Sequence, residues 1–403
     1  MVRVLDQLPL DDVATGVLTG TVGEPSLAAA GRSRYVTGNW YASRSGDAGA
    51  TWQVIDPFTE MASPRGRFCC DQVVLRVAGR YVWYLQYEAS GGTNIGRVAV
   101  SRTARPGSWR SWDLAPADLS PAWSGLWFDY PDLAVTDRHL WLSSNLYDAA
   151  DRWKRAVVVR WPLADLGGDG RLHREHWTTT AAGSLKLVSG AGDTMWFASS
   201  DQPRRRLRVF AWKDGTADVT AWDVPVTAWD AADYTSLTPG NGHWLEARCD
   251  DRVTAGWRAG GRLGFHWTAG RMAGRPHPFV RSVVLDEASL GVVAEPDLWS
   301  ATAAWAYPGA AVSRSGRVGF AAYTAGPTHP ALAVGRVLEG RPWTWDMAVA
   351  ATSTHAPATG AWGDYLTVRP HPTRTAAWLA VGCTLQGGSD RRFVEPRVVA
   401  FSA

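Results

Sequence analysis

Pairs of an acidic and an aromatic residue recur along this chain at wide intervals. The pairs are Asp129-Tyr130, Asp233-Tyr234 and Asp364-Tyr365, and Asp71 and Tyr307 occupy similar sequence contexts. A glycoside hydrolase needs two carboxyl groups, one on either side of the bond that it cleaves. The same pairs can instead be structural, with the carboxylate bonding turn amides and the ring packing between strands. The residues predicted to bind substrate are Arg67, Asp71, Asp129, Tyr130, Asp233, Asp364 and Tyr365.

Arginines near these pairs indicate a different chemistry, the β-elimination of an acidic sugar. A guanidinium can bind a uronate carboxylate through two hydrogen bonds and stabilise the enolate-like intermediate. The reaction also needs a base for the C5 proton, for which tyrosine and histidine are suited when an arginine lowers their pKa. The predicted catalytic residues are therefore Tyr234, Tyr307, Arg248, Arg258, His266 and His329. An ordinary surface histidine is the simpler interpretation of His329, which lies between two prolines in a loop-like stretch.

A repeating fold has to bring these residues together. Similar hairpin units, rich in glycine and aromatic residues, begin near positions 24, 71, 129, 184, 233, 306 and 364. A repeat of about fifty residues or more predicts an all-β, seven-bladed β-propeller with four-stranded antiparallel blades around a central channel. We expect a single domain over 1–403, closed by a strand within 2–5 that joins the last blade. The starts of the innermost strands then meet at one mouth of the channel.

The longest interval between units follows position 233. It is expected to hold loops at 270–278 and 287–299. A second local signal lies in the first unit, where Ser45–Trp52 matches the Asp-box pattern Ser-x-Asp-x-Gly-x-Thr-Trp. In this pattern the serine and aspartate bond turn amides, the glycine permits a positive φ, and the tryptophan packs between sheets. The box is therefore expected to be structural.

Composition excludes several classes of function. The chain has 403 residues with 41 basic and 38 acidic side chains, and it has no basic run of the kind that binds nucleic acid. No apolar stretch reaches the roughly 18 residues of a membrane-spanning helix. The 24 tryptophans are expected to be mostly structural, with a few in a cleft. Residues 1–7 lack the pattern of a signal peptide, which leaves open a cytoplasmic protein or a secreted one whose signal has been removed.

The cysteines allow two interpretations. Cys69, Cys70, Cys249 and Cys383 have no spacing that fits a zinc site. For the adjacent Cys69 and Cys70 the favoured interpretation is two strand residues that face opposite sides. The alternative is a vicinal disulfide that forms a rigid apolar platform near a ligand. No cofactor is expected, with a central Ca²⁺ held by oxygens of the inner strands as an alternative.

Four segments carry a resemblance to a known group of proteins: Asn39–Trp52, Arg67–Val74, Phe128–Val135 and Trp362–Tyr365. They resemble the seven-bladed propellers of the sialidase-like superfold that contain BNR or Asp-box repeats. Nearby groups of that superfold include lyases that cleave rhamnose–glucuronate linkages and rhamnosidase-like proteins. The resemblance therefore implies a carbohydrate substrate. Sialidase itself is disfavoured, because the chain lacks an Arg-Ile-Pro motif and has one clear Asp box.

These observations predict a carbohydrate-active enzyme that cleaves a glycosidic bond of a uronate-containing glycan, with elimination favoured over hydrolysis. A non-catalytic, ligand-binding propeller is one alternative. An enzyme that modifies a small metabolite is another. The expected partner is a glycan or a small molecule, with no nucleic acid and no membrane, and the chain is expected to be a monomer.

Overall fold

Seven four-stranded antiparallel sheets follow one another along the chain, as predicted for a propeller. The computed structural model describes residues 1–10, 19–89, 91–168, 170–340 and 342–402. The first strand, β1 (Arg3–Pro9), belongs to the last blade. Blades 1 to 3 are β2 (Ser26–Ala30), β3 (Ser33–Thr37), β4 (Ala42–Ser45) and β5 (Gln53–Ile55); β6 (Arg67–Val77), β7 (Arg80–Ala89), β8 (Thr93–Ser101) and β9 (Trp109–Leu114); and β10 (Trp127–Val135), β11 (His139–Tyr147), β12 (Trp153–Pro162) and β13 (Glu175–Thr179).

The second half of the chain repeats the arrangement. Blade 4 is β14 (Lys186–Leu187), β15 (Thr194–Asp201), β16 (Arg206–Lys213) and β17 (Val219–Pro225), and a small ribbon of β18 (Leu237–Thr238) and β19 (Gly242–His243) follows it. Blades 5 and 6 are β20 (Val253–Ala259), β21 (Arg262–Ala269), β22 (Phe279–Asp286) and β23 (Val292–Ala294); and β24 (Ala304–Val312), β25 (Val318–Ala325), β26 (Ala331–Leu338) and β27 (Thr344–Thr352). Blade 7 is β28 (Thr367–Pro370), β29 (Ala377–Leu385), β30 (Val394–Ser402) and β1.

Within the described part of the chain, helical structure is confined to short turns between strands. Two α-helical turns are α1 (Pro57–Glu60) and α2 (Pro116–Leu119), and 3₁₀ turns cover Pro121–Trp123, Leu163–Gly167, Gln202–Arg204, Pro239–Asn241 and Arg391–Phe393. Within the described ranges, no helix has the length and apolar character needed to cross a membrane.

The first and last strands of the described chain close the ring. Strand β1 pairs antiparallel with β30, from Arg3 opposite Ser402 to Pro9 opposite Arg397. The expected closing strand within 2–5 is therefore present, and it is longer than predicted. Since an open ring would leave two unpaired sheet faces, this pairing completes the fold.

The fifth blade begins later than the sequence indicates. Its innermost strand starts at Val253, and the Asp233-Tyr234 pair lies twenty residues earlier, in the segment before the ribbon. Residues 270–278 form the predicted loop between β21 and β22, whereas 287–299 contain strand β23 as well as loop. The Asp-Tyr pattern alone did not identify the start of this blade, because the same two residue types also stabilise a turn.

The hydrophobic core is divided into clusters between neighbouring blades. Middle strands such as β7 are buried along nearly their whole length, because each blade is packed on both faces. Seven tryptophans are almost completely inaccessible, and among them are Trp83, Trp141, Trp267 and Trp378. These tryptophans have the packing role that was predicted for most of the 24.

The Asp-box turn has the predicted geometry. Ser45 Oγ accepts from the Gly49 amide at 2.8 Å, and Asp47 Oδ1 accepts from the Thr51 amide at 3.0 Å. Gly49 has a φ of 101°, which is the left-handed region that glycine tolerates. Trp52 packs against the apolar cluster between blades 7 and 1. The turn lies at the outer side of blade 1 and contributes to packing.

Candidate active site at the channel mouth

Three innermost strands are bulged where they reach the mouth of the channel. The pairing register shifts by one extra residue in β10 and β24 and by two extra residues in β6. Cys70, Tyr130 and Tyr307 lie in these bulges with φ values of 53°, 53° and 52°. A left-handed conformation costs a non-glycine residue about 1–3 kcal/mol, and such residues cluster at functional sites. The bulges redirect the neighbouring side chains toward the mouth.

Three carboxyl groups from three blades meet at this mouth. Glu24, which precedes β2, lies within hydrogen-bonding distance of both Asp71 of β6 and Asp364, which precedes β28. Asn39 Nδ2 donates to Glu24 Oε2 at 3.0 Å. All three acidic side chains are less than 8% exposed. We call Glu24, Asp71 and Asp364 the carboxyl triad.

Within the triad, the environment of Glu24 favours its protonated form. Burial and the charges of Asp71 and Asp364 raise the pKa of Glu24 well above its usual range. Burial also raises the pKa of Asp71. Like charges this close cannot all ionise, so a protonated Glu24 that donates to Asp71 or Asp364 is the stable arrangement.

A fourth carboxyl group, that of Asp129, lies at the rim beside the triad. Burial and then the charge of Asp71 raise its pKa to about 6. Asp129 is partly exposed, whereas the triad is buried. Among Asp129 and the triad, Asp129 is therefore the carboxyl group that a ligand can reach most readily while the carboxyl group is protonated.

Two arginines balance the negative charge. Arg248 Nε donates to Asp364 Oδ1 at 2.8 Å, and its Nη2 bonds the other carboxylate oxygen. This bidentate bond to Asp364 raises the pKa of Arg248. Arg252 Nη2 lies 3.6 Å from Asp364 Oδ1, and its Nε bonds Asp250. Arg248 is 44% exposed despite its bond and faces the solvent side of the mouth.

Aromatic rings form the floor of the mouth. The Tyr130 and Tyr365 rings meet edge to face at 5.9 Å, and the guanidinium of Arg252 lies 4.6 Å from the centre of the Tyr130 ring. Burial raises the pKa of both tyrosines well above the usual value. These phenols therefore stay protonated at every pH at which the protein is expected to work.

A surface cleft of about 440 Å³ adjoins the mouth at blades 3 and 4. Its wall includes the aromatic side chains Tyr147 and Trp153 together with Asp250 and Arg252. Tyr147 lies in the field of Asp129, which together with burial raises the pKa of its phenol. Partly exposed aromatic rings with nearby carboxylates and guanidinium groups suit a polar ring-shaped ligand such as a sugar.

The two adjacent cysteines form a disulfide. Cys69 and Cys70 are bonded to each other at the bulge of β6, immediately before Asp71. The favoured expectation of two separate strand residues was therefore wrong, and the alternative is confirmed. Both residues are partly exposed, so the disulfide lies at the edge of the mouth as an apolar surface next to the triad.

A thiol count checks this bond. Cys249 and Cys383 are free and buried, so unfolding without reductant should expose two titratable thiols per chain. Reduction before unfolding should raise the count to four and the mass by that of two hydrogen atoms. Four thiols without reduction would contradict the disulfide.

His266, one of the predicted bases, lies far from the mouth in the core between blades 5 and 6. Its Nε2 accepts from Trp257 Nε1 at 2.8 Å, which leaves the proton on Nδ1 to be donated to Ser282 Oγ at 2.8 Å. Burial lowers its pKa to about 3. His266 is thus a neutral, fully bonded packing residue.

Stability should therefore depend on pH through His266. Its folded pKa of about 3 lies below that of a free histidine, so the unfolded chain takes up the proton first as the pH falls below about 6.5. The free energy of unfolding should drop by about 1.4 kcal/mol per pH unit in that range, and His266→Gln should remove this contribution. Urea unfolding of both proteins at pH 7 and pH 5 measures the difference. Parallel losses in the two proteins would contradict the assignment.

Several other predicted residues also lie away from the triad. Arg258 is at the far end of β20, about 20 Å along the strand from Arg252, and bonds Glu287. His329 lines a separate surface cleft, where its ring stacks on His355 at 6.2 Å. Asp233 bonds Arg271, which lowers its pKa.

The remaining predicted residues lie beside or beneath the mouth. Arg67 starts β6 at the rim, with its guanidinium 5.4 Å from the centre of the Phe58 ring. Tyr234 and Tyr307 lie on either side of the buried Cys249, beneath the segment that carries Arg248. Burial raises the pKa of both phenols. Of the residues singled out in the sequence, those that lie together at the mouth are Asp71, Asp129, Tyr130, Arg248, Asp364 and Tyr365.

Glu24, Asp250 and Arg252 are site residues that were not predicted. Glu24 stands at the start of the first repeat. Because other repeats also begin with an acidic residue, an alignment of the repeat starts would have identified it. Arg252 directly precedes β20. It was missed because the sequence placed the start of blade 5 at Asp233 rather than at Val253. Among the described residues, no group of three or more His, Cys, Asp or Glu side chains has the arrangement of a metal site.

Comparisons with known proteins indicate only distant similarity. No protein-family model matches the chain, and no curated protein matches it. The chain is similar to a hypothetical selenium-binding protein from Sulfolobus tokodaii, with a TM-score of 0.49 and 12% identity over 80% of this chain and 76% of that one. It is also similar to an α-L-arabinofuranosidase from Fusarium graminearum (TM-score 0.43, 9% identity, 94% and 92%) and to Trypanosoma rangeli sialidase (0.45, 10%, 80% and 57%). Likenesses at this level carry no information on activity.

Proposed function

We propose that this protein is a glycoside hydrolase whose active site is the channel mouth. The observation that carries the proposal is the convergence of four carboxyl groups beside an aromatic cleft, with the pKa values of Glu24, Asp71 and Asp129 raised above their usual range. Pairs of carboxyl groups whose environments separate their pKa values are what acid–base cleavage of a glycosidic bond requires.

Asp129 is proposed as the general acid. Its pKa of about 6 keeps part of it protonated near neutrality, and its position at the rim gives it access to the leaving-group oxygen. Asp71 is proposed as the second carboxylate, which activates water or attacks the sugar. Glu24 is a positioning residue that holds a proton next to Asp71.

Elimination, which the sequence favoured, has less support from this site. It requires a base for the C5 proton, and burial raises the pKa values of Tyr234 and Tyr307 and of the floor tyrosines. A phenol with a raised pKa is a weak candidate for a base, because its ionised form is scarce. His266 is enclosed in the core, and His329 lines a different cleft.

A uronate-containing glycan is proposed as the substrate. Arg248 is the most exposed cation of the site, and a sugar carboxylate could share its guanidinium with Asp364. The segments 67–74 and 128–135 resemble propellers of the sialidase-like superfold, and nearby groups of that superfold include lyases that cleave rhamnose–glucuronate linkages, which supports the same substrate class. Tyr147 and Trp153 would stack on neighbouring sugar rings.

A product assay at several pH values tests this proposal. Incubation with uronate-containing glycans should release sugars whose mass shows the addition of water. kcat/KM should fall as the pH rises through about 6, because Asp129 loses the proton that it must donate. Products without added water that absorb in the ultraviolet would instead establish elimination and refute the assignment of Asp129.

One observation favours a second candidate, a ligand-binding propeller without catalysis. Arg248 and Asp364 already satisfy each other in a bidentate bond, as in a structural ion pair. Calorimetric binding of an oligouronate, together with the absence of any product after long incubation, would favour this candidate.

A further inference from the structure

The central channel contains a second polar site below the mouth. A cavity of about 40 Å³ lies among the innermost strands, beneath Tyr130 and Tyr365. Its charged lining residues are Asp132 of blade 3, Lys186 of blade 4 and Arg369 of blade 7. At roughly 10–15 Å³ per water molecule, the cavity has room for a few waters or one small ion.

Asp132 is already neutralised within this cavity. Its Oδ1 accepts from Lys186 Nζ at 2.8 Å, and its Oδ2 accepts from the Leu187 amide at 3.0 Å. Both carboxylate oxygens are thus engaged by blade 4. One negative charge and one positive charge of the channel wall cancel in this pair.

Arg369 has neutral partners only. Its guanidinium donates to the carbonyl oxygens of Leu27 at 3.1 Å, Val74 at 3.3 Å and Val368 at 3.5 Å. In the described part of the chain no carboxylate lies within ion-pair distance of it. Burial lowers the pKa of Arg369, and the charge of Asp132 opposes this shift. Asp132, Lys186 and Arg369 together leave the described part of the channel wall with an excess of one positive charge.

We propose that a small monovalent anion of the halide type binds inside the channel, where Arg369 and Lys186 face the cavity. An enclosed positive charge in excess over the nearby negative charge is costly, and an anion that fits the available volume would offset that cost. The bound ion would connect the inner strand of blade 4 with that of blade 7, which Arg369 already ties to blades 1 and 2. The inference does not depend on the reaction at the mouth.

Thermal unfolding of the full chain in sodium chloride and in sodium gluconate of equal ionic strength tests the proposal. A ligand that binds only the folded state raises Tm, so we expect a Tm at least about 2 °C higher in chloride. Arg369→Gln and Lys186→Gln should lose this difference. Arg204→Gln, which changes an exposed arginine paired with Asp201, should keep it.

Crystals grown in bromide provide an independent measurement, because bromide scatters anomalously. A peak in the channel beside Arg369 is expected in the wild type and should be absent in Lys186→Gln. This pair of crystals also decides the matter if Arg369→Gln does not fold. Equal Tm values in both salts, a chloride effect that persists in Lys186→Gln, or a channel that contains waters only would each overturn the proposal.

Discussion

Asp129→Asn is expected to lower kcat/KM on natural glycans by a factor of about 10²–10⁴ while leaving the fold intact. The asparagine keeps the size of the side chain but cannot donate a proton to the leaving-group oxygen. Asp129 is partly exposed at the rim, so the substitution removes a charge without opening a cavity. Steady-state kinetics, together with a thermal unfolding curve of each protein, measure both effects.

The matched control for this substitution is Asp233→Asn. Asp233 also precedes a tyrosine, but its carboxylate bonds Arg271 away from the triad. The substitution should therefore leave kcat/KM within about twofold of the wild-type value. Substrates with an acidic aryl leaving group separate a catalytic role from a structural one, because they need little protonation. Asp129→Asn should retain far more activity on these. Equal losses on both kinds of substrate would exclude Asp129 as the acid.

Trp378→Ala is expected to have the largest effect on stability, a loss of about 3–5 kcal/mol in the free energy of unfolding. Trp378 of β29 is completely buried between blades 6 and 7. Its ring covers Gly319, where an added Cβ would lie 2.3 Å from the ring, and its Nε1 donates to the Ala311 carbonyl at 3.0 Å. The substitution removes this packing and leaves a buried carbonyl without its donor.

Trp299→Ala provides the comparison for Trp378→Ala. Trp299 is 43% exposed and its ring contacts Arg275 at 4.3 Å, so its loss should cost below about 1 kcal/mol. Chemical denaturation of both variants gives the two values. Similar losses would mean that exposed ring contacts, rather than packing between blades, stabilise this propeller.

The architecture could be predicted because it depends on local signals that repeat. Strands rich in glycine and aromatic residues recur often enough to give seven blades, and the first residues supply a closing strand. Blade 5 was misplaced because Asp233-Tyr234 has the local pattern of a mouth, yet Asp233 bonds Arg271 in a loop. The bonding partner of a carboxylate can come from a distant segment of the chain. The residues next to it in the sequence therefore do not predict that partner.

The site was predictable only where a residue belonged to a repeat. Asp129 and Asp364 each precede a tyrosine of the mouth, whereas Asp71 follows the bulge residue Cys70, and all three lie near the start of an innermost strand or just before it. Arg248 was selected because it follows the Asp233-Tyr234 pair in the sequence. In the structure it bonds Asp364, which lies 116 residues further along the chain. His266 and Arg258 have side chains suited to catalysis. The residue type does not show, however, whether a residue lies in the core, at the far end of the channel or at the mouth.

The closing pair of strands also determines how the ring responds to force. Arg3 lies opposite Ser402 at one end of an antiparallel pair, so the two ends of the described chain leave the molecule side by side. A load applied between them would act on the hydrogen bonds of β1 and β30 one after another, like a zipper, instead of shearing all of them at once. Single-molecule extension should therefore begin at blade 7 and at low force, although the same pairing closes the ring at equilibrium.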